Sequence, residues 1–167
     1  MLVIISGSNR SDNLTSVFAD KCQEILKELG VESTIYYLSD LPDQIELKSL
    51  YSFKDSVFSE IGSKLIGPST KLVFVAPEYN GSIPGVLKLF IDSVEPSLFE
   101  GKKAALIGVA AGRAGNLRGL DHLTDILHHL QVNVMPKKPH MSSLRGSHAS
   151  VGKSPRGTPH RREWTFR

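Results

Sequence analysis

The sequence predicts an α/β domain: a doubly wound sandwich around a five-stranded parallel sheet. Three observations predict it. Short, continuously apolar runs such as Leu2–Ser6, Lys71–Ala76 and Lys103–Ala110 alternate with segments whose apolar residues repeat at helical spacing. Strands apolar on nearly every residue belong to sheets covered on both faces, and the right-handed crossovers they need send helices to both sides. The segments following the first, third and fourth runs are rich in Gly, Ser, Asn and Pro, the composition of ligand-bearing loops at the carboxyl edge of such a sheet.

The elements follow in order. Leu2–Ser6 is the first strand. Asn13 can cap a helix that presents Leu14, Val17, Phe18, Cys22, Ile25, Leu26 and Leu29 on one face, with Gly30 as its stop. Glu32–Leu38 contains the β-rich "STIYYL" before the turn cluster "SDLPD". Asp55–Ile66 spaces Val57, Phe58, Ile61, Leu65 and Ile66 as a helix does, and Lys71–Ala76 is the third strand. Pro84 suits a first helical turn, opening a helix to about Ser93. Lys103–Ala110 is the fourth strand, Leu117–Leu130 an amphipathic helix and Val132–Met135 a short fifth strand.

Composition bounds the function. The 167 residues, 40% hydrophobic and 22% charged, suit one globular domain with a core that needs no disulfide or metal staple. No apolar run reaches the roughly 18 residues of a membrane span. Met1 leads straight into "LVIISGS" without a charged leader, and the single cysteine, Cys22, has no partner in the chain; a cytoplasmic protein is expected. The net charge of +3 divides into −4 over residues 1–136 and +7 over residues 137–167. The basic character therefore belongs to the tail. Without a fold motif or interleaved aromatics it does not make a nucleic-acid surface.

Each of the three loops admits two readings. "GSNRSDNLTS" (7–16) offers hydroxyls, Arg10 and a helix N-terminus to a phosphate, or is an ordinary capped turn. It has neither the Walker pattern nor G-x-G-x-x-G. "VAPEYNGSIPG" (75–85) either ends a strand or holds a ligand against a backbone fixed by proline and glycine, with Tyr79 as an aromatic face. "AGRAGN" (111–116) carries two glycines that allow close backbone approach, or is a helix start at Asn116.

Together, "GSNRSDNLTSVFA", "VFVAPEYNGSIPGVLKLFID" and "GVAAGRAGNLRGLDHL" resemble the NADPH-dependent FMN reductase family over about residues 1–136. The resemblance implies a flavodoxin-like fold with strand order 2-1-3-4-5 and one non-covalent FMN. It implies that Ser8, Arg10, Asn13, Leu14 and Thr15 surround the FMN phosphate. Pro77, Glu78, Tyr79, Asn80 and Gly81 would line the ring system, mostly through backbone, with Gly112, Arg113, Ala114 and Gly115 on its other side. It further implies NADPH or NADH as reductant, a small-molecule acceptor such as a quinone, azo compound, metal oxyanion or free flavin, and a homodimer or homotetramer. No catalytic side chain and no metal are called for, because the flavin carries the chemistry. The competing reading is a flavodoxin-type electron carrier; Arg10 in the loop and a body of only −4 favour the reductase.

Three features are read as structural. His128-His129 lacks paired ligands, Cys22 is a core thiol, and Glu78 matters less for its carboxylate than for its backbone. Residues 137–167 depart from the family, where a final amphipathic helix usually follows; they lack helical periodicity and form an atypical basic tail with Trp164 and Phe166 as possible anchors.

Overall fold

The computed structural model describes residues 1–46, 48, 50–51, 56–112 and 115–142. Leu2–Ser6 (β1) is buried at every residue, as an apolar pentapeptide inside a two-sided sheet must be. Ser33–Tyr37 (β2) pairs with it on one side and Lys71–Pro77 (β3) on the other, both parallel. Lys103–Ala110 (β4) follows β3, and Asn133–Val134 (β5) follows β4. The order β2-β1-β3-β4-β5 is the one the resemblance implied.

Side chains alternate across the sheet. Val3, Ile5, Leu72, Phe74 and Leu106 join one core with helices Val57–Ile61 (α2), Gly85–Ser93 (α3) and Leu117–His129 (α4). Leu2, Ile4, Val73, Val75 and Val109 join a second core with Phe18 and Ala19 of helix Leu14–Glu28 (α1). Cys22 packs at the edge of that second core, and burial pushes its thiol pKa up. Because α1 and α4 cover opposite faces, their N-termini flank the carboxyl edge of the sheet from opposite sides. None of the described helices is long and apolar enough to cross a membrane.

The structure corrects four expectations. The helix expected over Asp55–Ile66 is α2 followed by a π-helical turn at Gly62–Ile66, and Asp55 lies outside the described residues. Gly67 N donates to Gly62 O at 2.7 Å, across the wider turn. A Cβ at Gly62 would stand 3.1 Å from Leu98, so the chain passes close to that side chain. Pro84 precedes α3 as its cap residue, and Gly85 opens the helix.

The fifth strand is interrupted. Besides β5, the segment His140–Ser142 (β6) runs parallel to β4 along the same edge, opposite Gly108–Ala110. While β4 advances from Ala104 to Gly108, its partner advances from Val134 to His140, two residues more. Pro136 and Pro139 lie in that detour and have no N–H to give a ladder. The sheet therefore continues past residue 136, where the change of composition had put the edge of the domain. The rest of the tail, including Trp164 and Phe166, lies outside the described residues.

Candidate functional site

The loop after β1 turns tightly because Gly7 N donates to Val75 O at 2.8 Å; a Cβ at Gly7 would meet that oxygen at 3.0 Å. Ser8 is fully buried, and its hydroxyl bonds the Tyr79 phenol at 2.9 Å. This bond ties the first loop to the third. Arg10 grips Asp12 through two bonds of 3.1 Å. That contact raises the pKa of Arg10, chiefly through the hydrogen bond and then the charge of Asp12, and lowers that of Asp12. Two of the five guanidinium donors are thereby committed to Asp12, and the group also faces the Tyr79 phenol.

Asn13 is the N-cap of α1. Its Oδ1 accepts from Ser16 N at 2.8 Å and its Nδ2 donates to Arg10 O. The amide positions the loop and is used up by the protein. What remains open is backbone: among the described residues, no partner meets the N–H groups of Leu14 and Thr15, in the first turn of a 15-residue helix. These donors and the positive end of the helix dipole suit an anion.

After β3, Glu78 N donates to Val109 O at 3.0 Å and extends the ladder by one bond. Tyr79 and Ser82 exchange backbone bonds of 2.9 and 3.1 Å around Asn80 (φ 53°) and Gly81 (φ 77°). Two successive left-handed residues make this a tight hairpin of the type I′ kind. The expectation of backbone contacts from Pro77–Gly81 narrows accordingly. Only Asn80 and Gly81 keep N–H groups without a partner among the described residues, since Pro77 has none to offer. Ser82 Oγ bonds His122 Nδ1 of α4 at 2.8 Å, which fixes the hairpin from the other side.

The loop after β4 joins Gly115, which the resemblance places at the site, to Asn116, which the sequence offers only as a helix start. Gly115 (φ 58°) and Asn116 (φ 67°) are consecutive left-handed residues. A Cβ at Gly115 would lie 2.5 Å from His140 Cβ. Gly115 O accepts from His140 Nδ1 at 2.7 Å, so that nitrogen carries the proton. Asn116 is fully buried; its Nδ2 donates to Ala76 O at 2.8 Å, clamping the fourth loop to the end of β3. Its Oδ1 is buried without a partner among the described residues. Gly119 makes room for it, because a Cβ there would stand 2.0 Å from Oδ1 and 3.0 Å from the Ser82 carbonyl carbon. The "GN" pair was the available signal. Gly112 O accepts from Gly115 N at 3.2 Å, and Arg113 and Ala114 lie outside the described residues.

Among the described residues, the edge thus presents unpartnered N–H groups on the α1 side, two more at a rigid hairpin tip, and one buried unpaired carbonyl. That combination is chemically suited to a phosphorylated molecule with polar groups along a planar body.

Comparison with known proteins gives three results. The sequence profile of the NADPH-dependent FMN reductases matches residues 1–144. An NAD(P)H-dependent FMN reductase of Pseudomonas aeruginosa is 34% identical over 142 residues, 83% of this chain and 75% of that protein. An NADPH azoreductase of a Bacillus species is 27% identical over 155 residues, 90% of this chain and 82% of that one. In three dimensions, the flavoenzyme NAD(P)H:(acceptor) oxidoreductase of Paracoccus denitrificans superposes with a TM-score of 0.68 at 24% identity, covering 94% of this chain and 84% of the other. That last likeness concerns the fold.

Proposed function

The chain belongs to the NADPH-dependent FMN reductase family, and from that premise we propose that its carboxyl edge holds FMN and that the enzyme passes electrons from NAD(P)H to a quinone, azo compound, metal oxyanion or free flavin. The residues present fit such a cofactor. Among the described residues, the N–H groups of Leu14, Thr15, Asn80 and Gly81 are unspent, and Asn116 Oδ1 is buried and unpaired. A Cβ at Gly112 would meet none of the described residues within 4 Å, so a flat ligand can approach the backbone there.

Held at this edge, FMN would supply the redox chemistry that links the nicotinamide to the acceptor. The protein's own part is to bind and orient. The Leu14 and Thr15 N–H groups would hold the phosphate, with Arg10 adding charge, Ser8 fixing Tyr79 beside it and Asn13 keeping the helix end open. Asn80 and Gly81 would donate to the polar edge of the ring, where N–H groups favour developing negative charge. Pro77, Glu78 and Tyr79 form the stiff wall behind them, and Gly112, Arg113, Ala114 and Gly115 would close the far side.

The observation that carries this reading is the joining of three loops by the Ser8–Tyr79 and Asn116–Ala76 bonds, with unspent backbone donors between them. The test is multiple turnover. FMN-loaded protein should oxidise NADPH continuously when a benzoquinone or an azo dye is present. A single stoichiometric oxidation that stops with either acceptor favours the electron-carrier reading instead.

The same reading takes the protein as a cytoplasmic homodimer or homotetramer. Exposed Ile25 on α1 and Leu29 at its C-cap, together with half-buried Ala105 and Ile107 of β4, support self-association. A monomer by light scattering would remove that part.

A further inference from the structure

The cations described at the carboxyl edge of the sheet are paired, with one exception. Arg10 is held by Asp12, and Lys138, on the link between β5 and β6, by Asp121 at 3.1 Å. Arg118, in the first turn of α4, is exposed and has no acidic partner among the described residues. It does not point away from the site: Nη1 lies 3.8 Å from where a side chain on Gly81 would begin. One turn further along α4, His122 holds Ser82 Oγ at 2.8 Å. The amide of Asn80, exposed at the hairpin tip, has no partner among the described residues. Arg118, Asn80, Ser82 and His122 therefore form one polar rim on the α4 side of the hairpin.

This rim suits a phosphate monoester. A guanidinium without an acid keeps its full fork for two parallel bonds, and the α4 N-terminus adds the positive end of a dipole. It is a different place from the anion site at α1. The two helices cover opposite faces of the sheet, and β1 and β4 are separated by β3, which puts their ends about 10 Å apart. One phosphate cannot serve both. If FMN fills the α1 side, the second phosphate must arrive with the other ligand of the reaction.

We propose that this rim binds the 2′-phosphate of NADPH, and that Arg118 sets the preference for NADPH over NADH. The inference rests on the reductase reading above. NADPH and NADH differ only in that phosphate, so a residue that touches it changes one Michaelis constant and spares the other.

The test uses FMN-loaded protein and the variants Arg118→Ala and Arg118→Lys. The exposed position makes both compatible with folding, and retention of the flavin spectrum checks it. Arg118→Ala is expected to raise KM for NADPH at least about tenfold and KM for NADH less than about twofold, with kcat retained. Arg118→Lys should recover part of the loss. Calorimetric titration with 2′,5′-ADP, which needs no turnover, should show binding to the parent protein and at least about tenfold weaker binding to Arg118→Ala.

Unchanged KM for NADPH, or unchanged 2′,5′-ADP binding, overturns the proposal. An equal rise for both nucleotides also overturns it, since the contact would then be to a phosphate they share. A change in subunit number with equal loss of both would assign Arg118 to a subunit contact and end it too. If the parent protein takes up no FMN, the reductase reading fails, while the 2′,5′-ADP titration still reports on the rim by itself.

Discussion

Gly115→Val is expected to lower the free energy of unfolding by about 2–5 kcal/mol and to weaken FMN binding in parallel. Two costs combine. Gly115 has φ 58°, a left-handed conformation that costs an L-residue about 1–2 kcal/mol and a β-branched one most of all. Its new Cβ would also lie 2.5 Å from His140 Cβ, and overpacking of this kind typically costs about 1–3 kcal/mol. His140 cannot step aside cheaply. It lies in β6, paired to β4, and its ring donates to Gly115 O at 2.7 Å. Urea unfolding of the variant beside the parent measures the effect. A loss below about 1 kcal/mol would mean that the fourth loop moves independently of β6.

Asn116→Asp, nearly isosteric, is expected to cost about 3–5 kcal/mol at neutral pH and much less in mild acid. The Asn116 amide is fully buried and donates to Ala76 O at 2.8 Å. An ionised carboxylate there would set negative oxygen against that carbonyl, with no donor in return. Burial and the facing carbonyl both disfavour its charged form, so its pKa in the folded protein rises above the unfolded value of about 3.9. The sign follows from that direction. Stability is fullest below the unfolded pKa, where the neutral acid can donate to Ala76 O, and is lost as pH rises through the folded one. Unfolding of variant and parent at about pH 4.5 and pH 7.5 tests this. A deficit equal at both pH values would show that the side chain does not sit in a buried contact.

The resemblance places Gly115 at the site, and the sequence offers Asn116 only as a helix start; the contacts that make both substitutions costly were not legible, and the reason is physical. β1, β3 and β4 were legible because buried parallel strands are apolar on nearly every residue, and α1 was legible from Asn13 at one end and Gly30 (φ 72°) at the other. The hairpin was legible as a turn from Asn80-Gly81. What joins the loops was not legible. Tyr79 reaches Ser8 across 71 residues of sequence, and Asn116 reaches Ala76 across 40; no local pattern records such contacts.

The same limit explains the fifth strand and the helix before β3. Strand pairing by His140–Ser142 rests on backbone bonds that composition does not show, so a basic, proline-bearing stretch concealed it. The π-helical turn after α2 lies where Gly62 passes close to Leu98, a tertiary contact that the helical spacing of the sequence does not record. Arg10 was legible as a cation at the loop, while its pairing with Asp12, two residues away, shifts attention to the backbone donors of Leu14 and Thr15.

The central claim is that three loops at one sheet edge form an FMN site that NADPH can reduce. Its most direct test is the visible spectrum of the purified protein, freed of small molecules, mixed with one equivalent of FMN and passed through a desalting column, then treated with NADPH without oxygen. The account predicts that the two visible bands of oxidised flavin stay with the protein at about one per chain and bleach on addition of NADPH. Flavin that separates on the column, or bound flavin that keeps its bands in excess NADPH, would contradict it.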